Sequence, residues 1–253
     1  MSTSVVQMTA TPAPVEISAD STVFLVVDMQ NDFVSEDGLL HRSGADVSIL
    51  RRTVAPIARS LTTARAAGIP VVYLKMGYRP NLSNAGPDES PNRSRLLAEL
   101  GAPVQLADGT ESRVLIRETW NTDIVPELAP WPEDHVIYHH RFSGFFETPL
   151  HDTLWRLGAK HVIVAGCTTS LSVESTIRDA VSHDYSCVLL SDCTAEPIGH
   201  GSSRTNYDAT LHLVERQFGW VATSDAFISA LRRLYAEWIA GSATEVGSIS
   251  DSR

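Results

Sequence analysis

"VIVAGCTTSLSVESTIRDA", residues 162–180, begins as a strand and ends as a helix. Gly166 and a turn of small hydroxylated residues lie between the two. Ser172 falls where the helix begins, the place where an α/β enzyme sets a nucleophile. Working outward, "TVFLVVDM" (22–29) is a continuous apolar run that stops at an acid, as a parallel strand buried on both faces does. "IPVVYLKM" (69–76), "HVIYHH" (135–140), "HVIVAG" (161–166), "YSCVLLSD" (185–192) and "WVATS" (220–224) read as five more strands. Helical spacing covers 47–68, where Pro56 predicts a kink or break, and 147–158, 172–184, 204–219 and 225–240. Strands alternating with helices give an α/β fold with a parallel sheet and right-handed crossovers.

The chain has 253 residues, enough for one large core, with 43% hydrophobic and 20% charged residues. A net charge of −10 argues against nucleic acid or an anionic membrane as partner, though one local Arg suffices for a small anionic substrate. Three cysteines without CxxC spacing suggest a reducing compartment, with neither a disulfide scaffold nor structural zinc. No run is long enough for a membrane span, and no basic-then-apolar leader opens the chain, so a cytoplasmic location is expected. Residues 1–18 and 241–253 read as flexible tails around one domain over 19–240. The stretch 77–118 has no clear period and reads as a substrate lid or an oligomer contact.

Ligands of open α/β sheets bind beyond the carboxyl ends of the strands. The first run ends in Asp28, followed by Gln30, Asn31 and Asp32; the second near Lys75, with Tyr78 and Arg79 beyond. The third ends in Tyr138, His139, His140 and Arg141, the fourth in Gly166 before the turn to Ser172, the fifth in Asp192. An acid, a titratable group and a hydroxyl at a helix start thus share one edge, the material for nucleophilic catalysis with backbone N–H groups as an oxyanion site. Taken singly, each has a plainer reading. Asp28 is a turn former, His139 and His140 are solvated loop residues, Ser172 is an N-cap and Cys167 a small buried hydrophobe.

Taken together, "LVVDMQNDF", "RFSGFFETPL", "GCTTSLSVESTIRDA" and "VLLSDCTAE" resemble the isochorismatase-like hydrolases, or cysteine hydrolases, from about residue 20 to about 235. "SPNRS", "TWNTDIVPEL" and "FGWV" are most similar to the ureidoacrylate amidohydrolase group within them. The resemblance implies a Rossmann-like, three-layer α/β/α fold with a six-stranded parallel sheet, assembled as a homodimer or homotetramer. It implies an Asp–Lys–Cys catalytic set, which falls on Asp28, His139 and Ser172. The oxyanion hole would be the N–H groups of Thr168 and Ser172, with a cis peptide between Cys167 and Thr168. No cofactor is implied, and "LKMGYRPN" lacks the ligands of the metal-binding members, so no metal is expected.

Two of the three catalytic positions depart from the family pattern. A free Cys is about 3% thiolate at pH 7. A hydroxyl ionising like bulk water is alkoxide on the order of 10⁻⁹. An ordinary carboxylate near pKa 4 is a weak base for it, and an ordinary imidazole at position 139 is mostly neutral at pH 7 and replaces the lysine charge only in part. Four readings follow: a C–N hydrolase of small ureido or carbamoyl acids whose nucleophile has been exchanged for Ser, leaving it weak or ligand-trapping; a serine hydrolase with an Asp–His–Ser arrangement; a small-molecule-binding pseudoenzyme; and a vinyl-ether hydrolase using Asp28 as general acid. For substrate contacts, the resemblance and the strand-end positions single out Phe33, Tyr78, Trp120 and Phe142 as aromatic walls. Asn92 matches a polar contact of the ureidoacrylate group, and Arg141 or Arg79 is placed to hold a carboxylate.

Overall fold

The computed structural model describes residues 5–94, 99–203 and 205–236. The chain opens with a hairpin of β1 (Val5–Met8) and β2 (Val15–Ser18), then β3 (Thr22–Val27), two single-turn helices α1 (Asn31–Val34) and α2 (Leu39–Arg42), and the long α3 (Ser48–Ala66). After β4 (Val71–Met76) comes an excursion carrying α4 (Pro91–Ser94) and a second hairpin, β5 (Pro103–Gln105) with β6 (Glu111–Arg113). The chain returns through β7 (His135–His139), α5 (Leu150–Arg156), β8 (His161–Cys167), α6 (Glu174–Ser182), β9 (Ser186–Ala195), α7 (Asn206–Leu213) and β10 (Gly219–Ala222). A last helix, α8, covers 224–236.

Six strands form one sheet in the order β10-β9-β8-β3-β4-β7, every pair parallel. Strand β3 alternates its buried side chains between the faces, as the period of a strand requires. Phe24 and Val26 pack with Leu50, Ile57, Phe227 and Leu231 of α3 and α8. Val23, Leu25 and Val27 pack with Leu150, Leu154 and Ile177 of α5 and α6. Three α/β/α layers result, as expected. The order reverses between β3 and its neighbours β8 and β4, so the crevice beyond the ends of β3 and β8 is the place for a ligand.

The N-terminal expectation is corrected, and the break at Pro56 does not occur. Residues 5–18 are not a loose tail: Val6, Met8, Val15 and Ile17 are buried in the main core, and Thr11 exchanges backbone hydrogen bonds with Val221 of β10. Alternation over so short a stretch is masked by the Thr and Pro around it. Residues 1–4 and the expected tail at 241–253 lie outside the described residues. Pro56 does not break α3, which runs through it because Ile49, Leu50, Ile57 and Leu61 bury one continuous stripe. The excursion over 77–118 carries packing of its own, with Tyr78, Ala85, Val104, Val114, Leu115 and Ile116 in a small core. Among the described residues no helix is long and apolar enough to cross a membrane.

Candidate active site

Asp28 is the first residue past β3 and turns the chain with a φ of 53°, a conformation that Asp tolerates better than most residues. Neighbouring elements hold it from two sides. Its N–H donates to Leu74 O of β4 at 3.0 Å, and its carbonyl accepts from the Cys167 thiol of β8 at 3.1 Å. Carboxylate atom Oδ1 accepts from Met76 N at 3.0 Å and lies 2.7 Å from His139 Nε2. The residue is 2% exposed and the imidazole fully buried, its Nδ1 2.6 Å from Arg141 O. Among the described residues Oδ2 of Asp28 has no hydrogen-bond partner.

The turn after β8 supplies the other wall. Gly166 has a φ of 121°, and a Cβ there would lie 2.0 Å from Val27 O of β3, so only glycine lets the two strands approach. The Cys167–Thr168 peptide is cis. Residues Thr169–Val173 then form a π-helical turn, a feature that recurs at functional sites. Thr168 O accepts from Leu171 N and Val173 N, while Glu196, just past β9, accepts from Ser170 N at 3.0 Å and Ser170 Oγ at 2.5 Å. Its other oxygen accepts from Ile198 N at 2.9 Å. The buried Glu196 carboxylate thus ties the serine turn to the following loop.

Asp28, Thr168 and Ser172 line one cavity of about 60 Å³, together with Phe33, Phe142, Leu40, Met76 and Ile198. Its size, below the few hundred Å³ of drug-sized pockets, limits it to a compact ligand. Asp28 lies between this cavity and His139, whose ring is not part of the lining. Of the proposed substrate contacts, Phe33 and Phe142 are at the cavity and five are not, among them Arg79, whose guanidinium donates to Ser83 Oγ at 3.4 Å. The Tyr78 hydroxyl donates to His140 O at 3.0 Å and accepts from Asn92 Nδ2 at 3.3 Å. The Arg141 guanidinium is turned to His140 O and Asn84 O. Trp120 sits in a 3₁₀ turn whose carbonyl holds Asn31.

Residues 22–226 match the isochorismatase domain family. This chain belongs to the isochorismatase family. The isochorismatase-family chain is 37% identical over 221 residues to a ureidoacrylate amidohydrolase of Variovorax paradoxus, covering 87% of this chain and 84% of that one. The same-named protein of Agrobacterium fabrum is 35% identical, over 88% and 95%. Among solved structures, a cysteine hydrolase from Pseudomonas syringae pv. phaseolicola superposes with a TM-score of 0.71 at 27% identity, over 93% of this chain and 100% of that chain. N-carbamoylsarcosine amidase from Thermoplasma acidophilum, at 23% identity and a TM-score of 0.62 over 81% and 97%, shares the fold.

In this isochorismatase-family chain a thiol, that of Cys167, also lines the cavity. Burial, aided by the charges of Asp28 and Glu196, holds Cys167 well above the ordinary thiol range, and its proton is committed to Asp28 O. Lys75 turns away from the cavity toward Asp123, at 3.6 Å, and the face of Tyr138. Asp192 is not a strand end: β9 runs on to Ala195, and the Asp192 carboxylate accepts from Ser224 N and Oγ of α8. The apolar lining residues Leu40, Met76, Leu171 and Ile198 escaped a reading that looked for polar groups. Alternation along "YLKM" was the available signal for Met76, since it sends Lys75 and Met76 to opposite sides.

Proposed function

We propose that this chain hydrolyses a C–N bond in a small ureido or carbamoyl acid, with Ser172 in the nucleophile's place and Asp28 as the proton carrier. The observation that supports it most is the shared cavity: Asp28, Thr168 and Ser172 meet at the switch point between aromatic walls from Phe33 and Phe142. Likeness to ureidoacrylate amidohydrolases over 84% or more of their length supports the substrate class. In the proposed reaction, Asp28 Oδ2 takes the proton of the Ser172 hydroxyl as Oγ attacks the carbonyl carbon. The N–H groups of Thr168 and Ser172 receive the developing oxyanion. Collapse breaks the C–N bond, the leaving nitrogen recovers the proton from Asp28, and water then hydrolyses the acyl-serine. Generating an alkoxide with a carboxylate makes the first step slow.

The test compares hydrolysis of ureidoacrylate, N-carbamoyl amino acids and biuret by the parent and by Ser172→Cys. We expect the cysteine variant to be faster by at least a hundredfold, given the far larger thiolate fraction. A parent that turns over well and is silenced by Ser172→Cys is a true serine hydrolase. Inactivity of both on all three substrates removes the C–N hydrolase reading.

A further inference from the structure

We propose that His139 is a doubly protonated imidazolium seated behind Asp28, the positive charge of this site and not its general base. As a statement about catalysis this rests on the hydrolase reading; as a statement about protons it stands on the ring's two neighbours. Nδ1 lies 2.6 Å from Arg141 O, and a backbone carbonyl brings no proton, so Nδ1 must donate. That uses the one proton of a neutral ring. Nε2 lies 2.7 Å from Asp28 Oδ1, a distance at which a bare nitrogen lone pair and a carboxylate would repel. A second proton therefore sits between them. Oδ1 also accepts at 3.0 Å from the Met76 N–H, a donor shared with Gln30 Oε1 at 2.7 Å, and a charged carboxylate oxygen competes for a shared donor better than the hydroxyl of a carboxylic acid does. The second proton thus rests on the ring.

The surroundings agree in direction. Burial works against charge on the ring, but the Asp28 carboxylate, its hydrogen bond and that of Arg141 O outweigh it and hold His139 above its ordinary range. Arg117 is the charged group that opposes them. The neighbouring His140, facing Tyr78, Phe146 and Glu147, moves the other way under burial and the Arg141 charge. Two histidines adjacent in sequence are thereby shifted in opposite directions.

With both nitrogens donating and the ring fully buried, His139 has no lone pair to offer Ser172, so an Asp–His–Ser relay is not built here. Its role is to position: it fixes Oδ1 and leaves Oδ2 of Asp28 for the cavity. The resemblance places a lysine here, and an imidazolium differs from it in one consequential way. It loses its proton in a pH range where ammonium does not, and the site then loses its cation.

The ring protons can be counted directly by ¹⁵N–¹H NMR of the unliganded protein. We expect both ring nitrogens of His139 to be protonated at pH 7.5, where an ordinary imidazole is about nine-tenths neutral. Signals are assigned by their loss in His139→Gln, or in the parent by contact with the Met76 amide should that variant not fold. Asp28→Asn should lower the pH at which the ring titrates. A single ring proton at pH 7.5, or a titration unmoved by Asp28→Asn, overturns the proposal. In a Ser172→Cys background, activity should fall on the alkaline side at the pH where the ring titrates, and adding His139→Lys should move that fall upward by more than one pH unit. An unchanged profile overturns the positioning role. Two ring protons with no hydrolysis by any variant would sink the hydrolase reading alone, whereas hydrolysis with a neutral ring would sink this inference alone.

Discussion

Asp28 and Asp32 lie four residues apart, both buried, and do opposite things. Asp28 keeps one oxygen for the cavity, while Asp32 spends both on structure: Oδ1 accepts from Leu39 N and Asn121 Nδ2, and Oδ2 from Leu115 N. Burial nevertheless pushes the Asp32 carboxyl from 3.8 up to about 6, against those three donors and Arg42. A carboxyl raised on folding stabilises the native state fully below its unfolded value and loses that contribution as pH rises through its folded value. At 1.36 kcal/mol per unit the loss is on the order of 3 kcal/mol. Asp32→Asn cannot ionise, so urea unfolding should find the parent-minus-variant difference falling by about that amount from pH 4 to pH 7. A flat difference would mean that the donors cancel the burial. Nothing in "DMQNDF" distinguishes the two acids, because that depends on which partners arrive from residues 76, 115 and 121. Asp28, Ser172 and Phe142 were legible because position at a strand end is written in one dimension; the directions of Tyr78, Asn92 and Arg141 were not, since each is set by a carbonyl or hydroxyl brought from elsewhere in the chain.

At the scale of elements, the serine turn depends on a carboxylate outside it. Glu196 takes three hydrogen bonds, from Ser170 N, Ser170 Oγ and Ile198 N. Glu196→Gln keeps the volume but offers one acceptor oxygen where there were two, and loses the charge. It should cost about 1–3 kcal/mol in urea unfolding and lower any activity, since the π turn carries Ser172. An unchanged midpoint would show that the turn holds its shape unaided. The role of Glu196 was hidden by the strand before it. Strand β9 pairs Leu189 with Val164 but Thr194 with Gly166, an irregularity that lets the strand continue three residues past Asp192. A polar "SD" in the middle of an apolar run reads as an end, and only the sheet shows it to be a bulge. The β1–β2 hairpin was missed for the related reason that strands of four residues carry too little alternation to stand out.

For the molecule as a whole, the six main strands and the sheet edge at which Asp28 and Ser172 meet were readable, because buried parallel strands announce themselves as apolar runs. What joins the ends of those runs was not, and there the site acquires its apolar lining. A pocket that binds only the folded chain must stabilise it by mass action. A ureido acid at a hundred times its dissociation constant adds about 2.7 kcal/mol, which for a chain of this size raises Tm by roughly 5–10 °C. Thermal unfolding of the parent with ureidoacrylate, N-carbamoyl amino acids and biuret, each titrated in turn, should show such a rise for one of them. A Tm that stays level with all three would leave the cavity without this class of ligand, whatever the rates.

The position of β3 also sets a timetable for birth of the fold. Its partner on one side, β4, follows closely, but on the other side Val27 waits for Gly166 of β8. On a ribosome adding 5–20 residues per second, that interval lasts on the order of 10–30 s. Throughout it, the most apolar strand of the protein is an open edge, able to pair with a neighbouring nascent chain. The same long-range pairing that brings Asp28 beside the serine turn thus leaves one side of β3 unpaired until β8 is made.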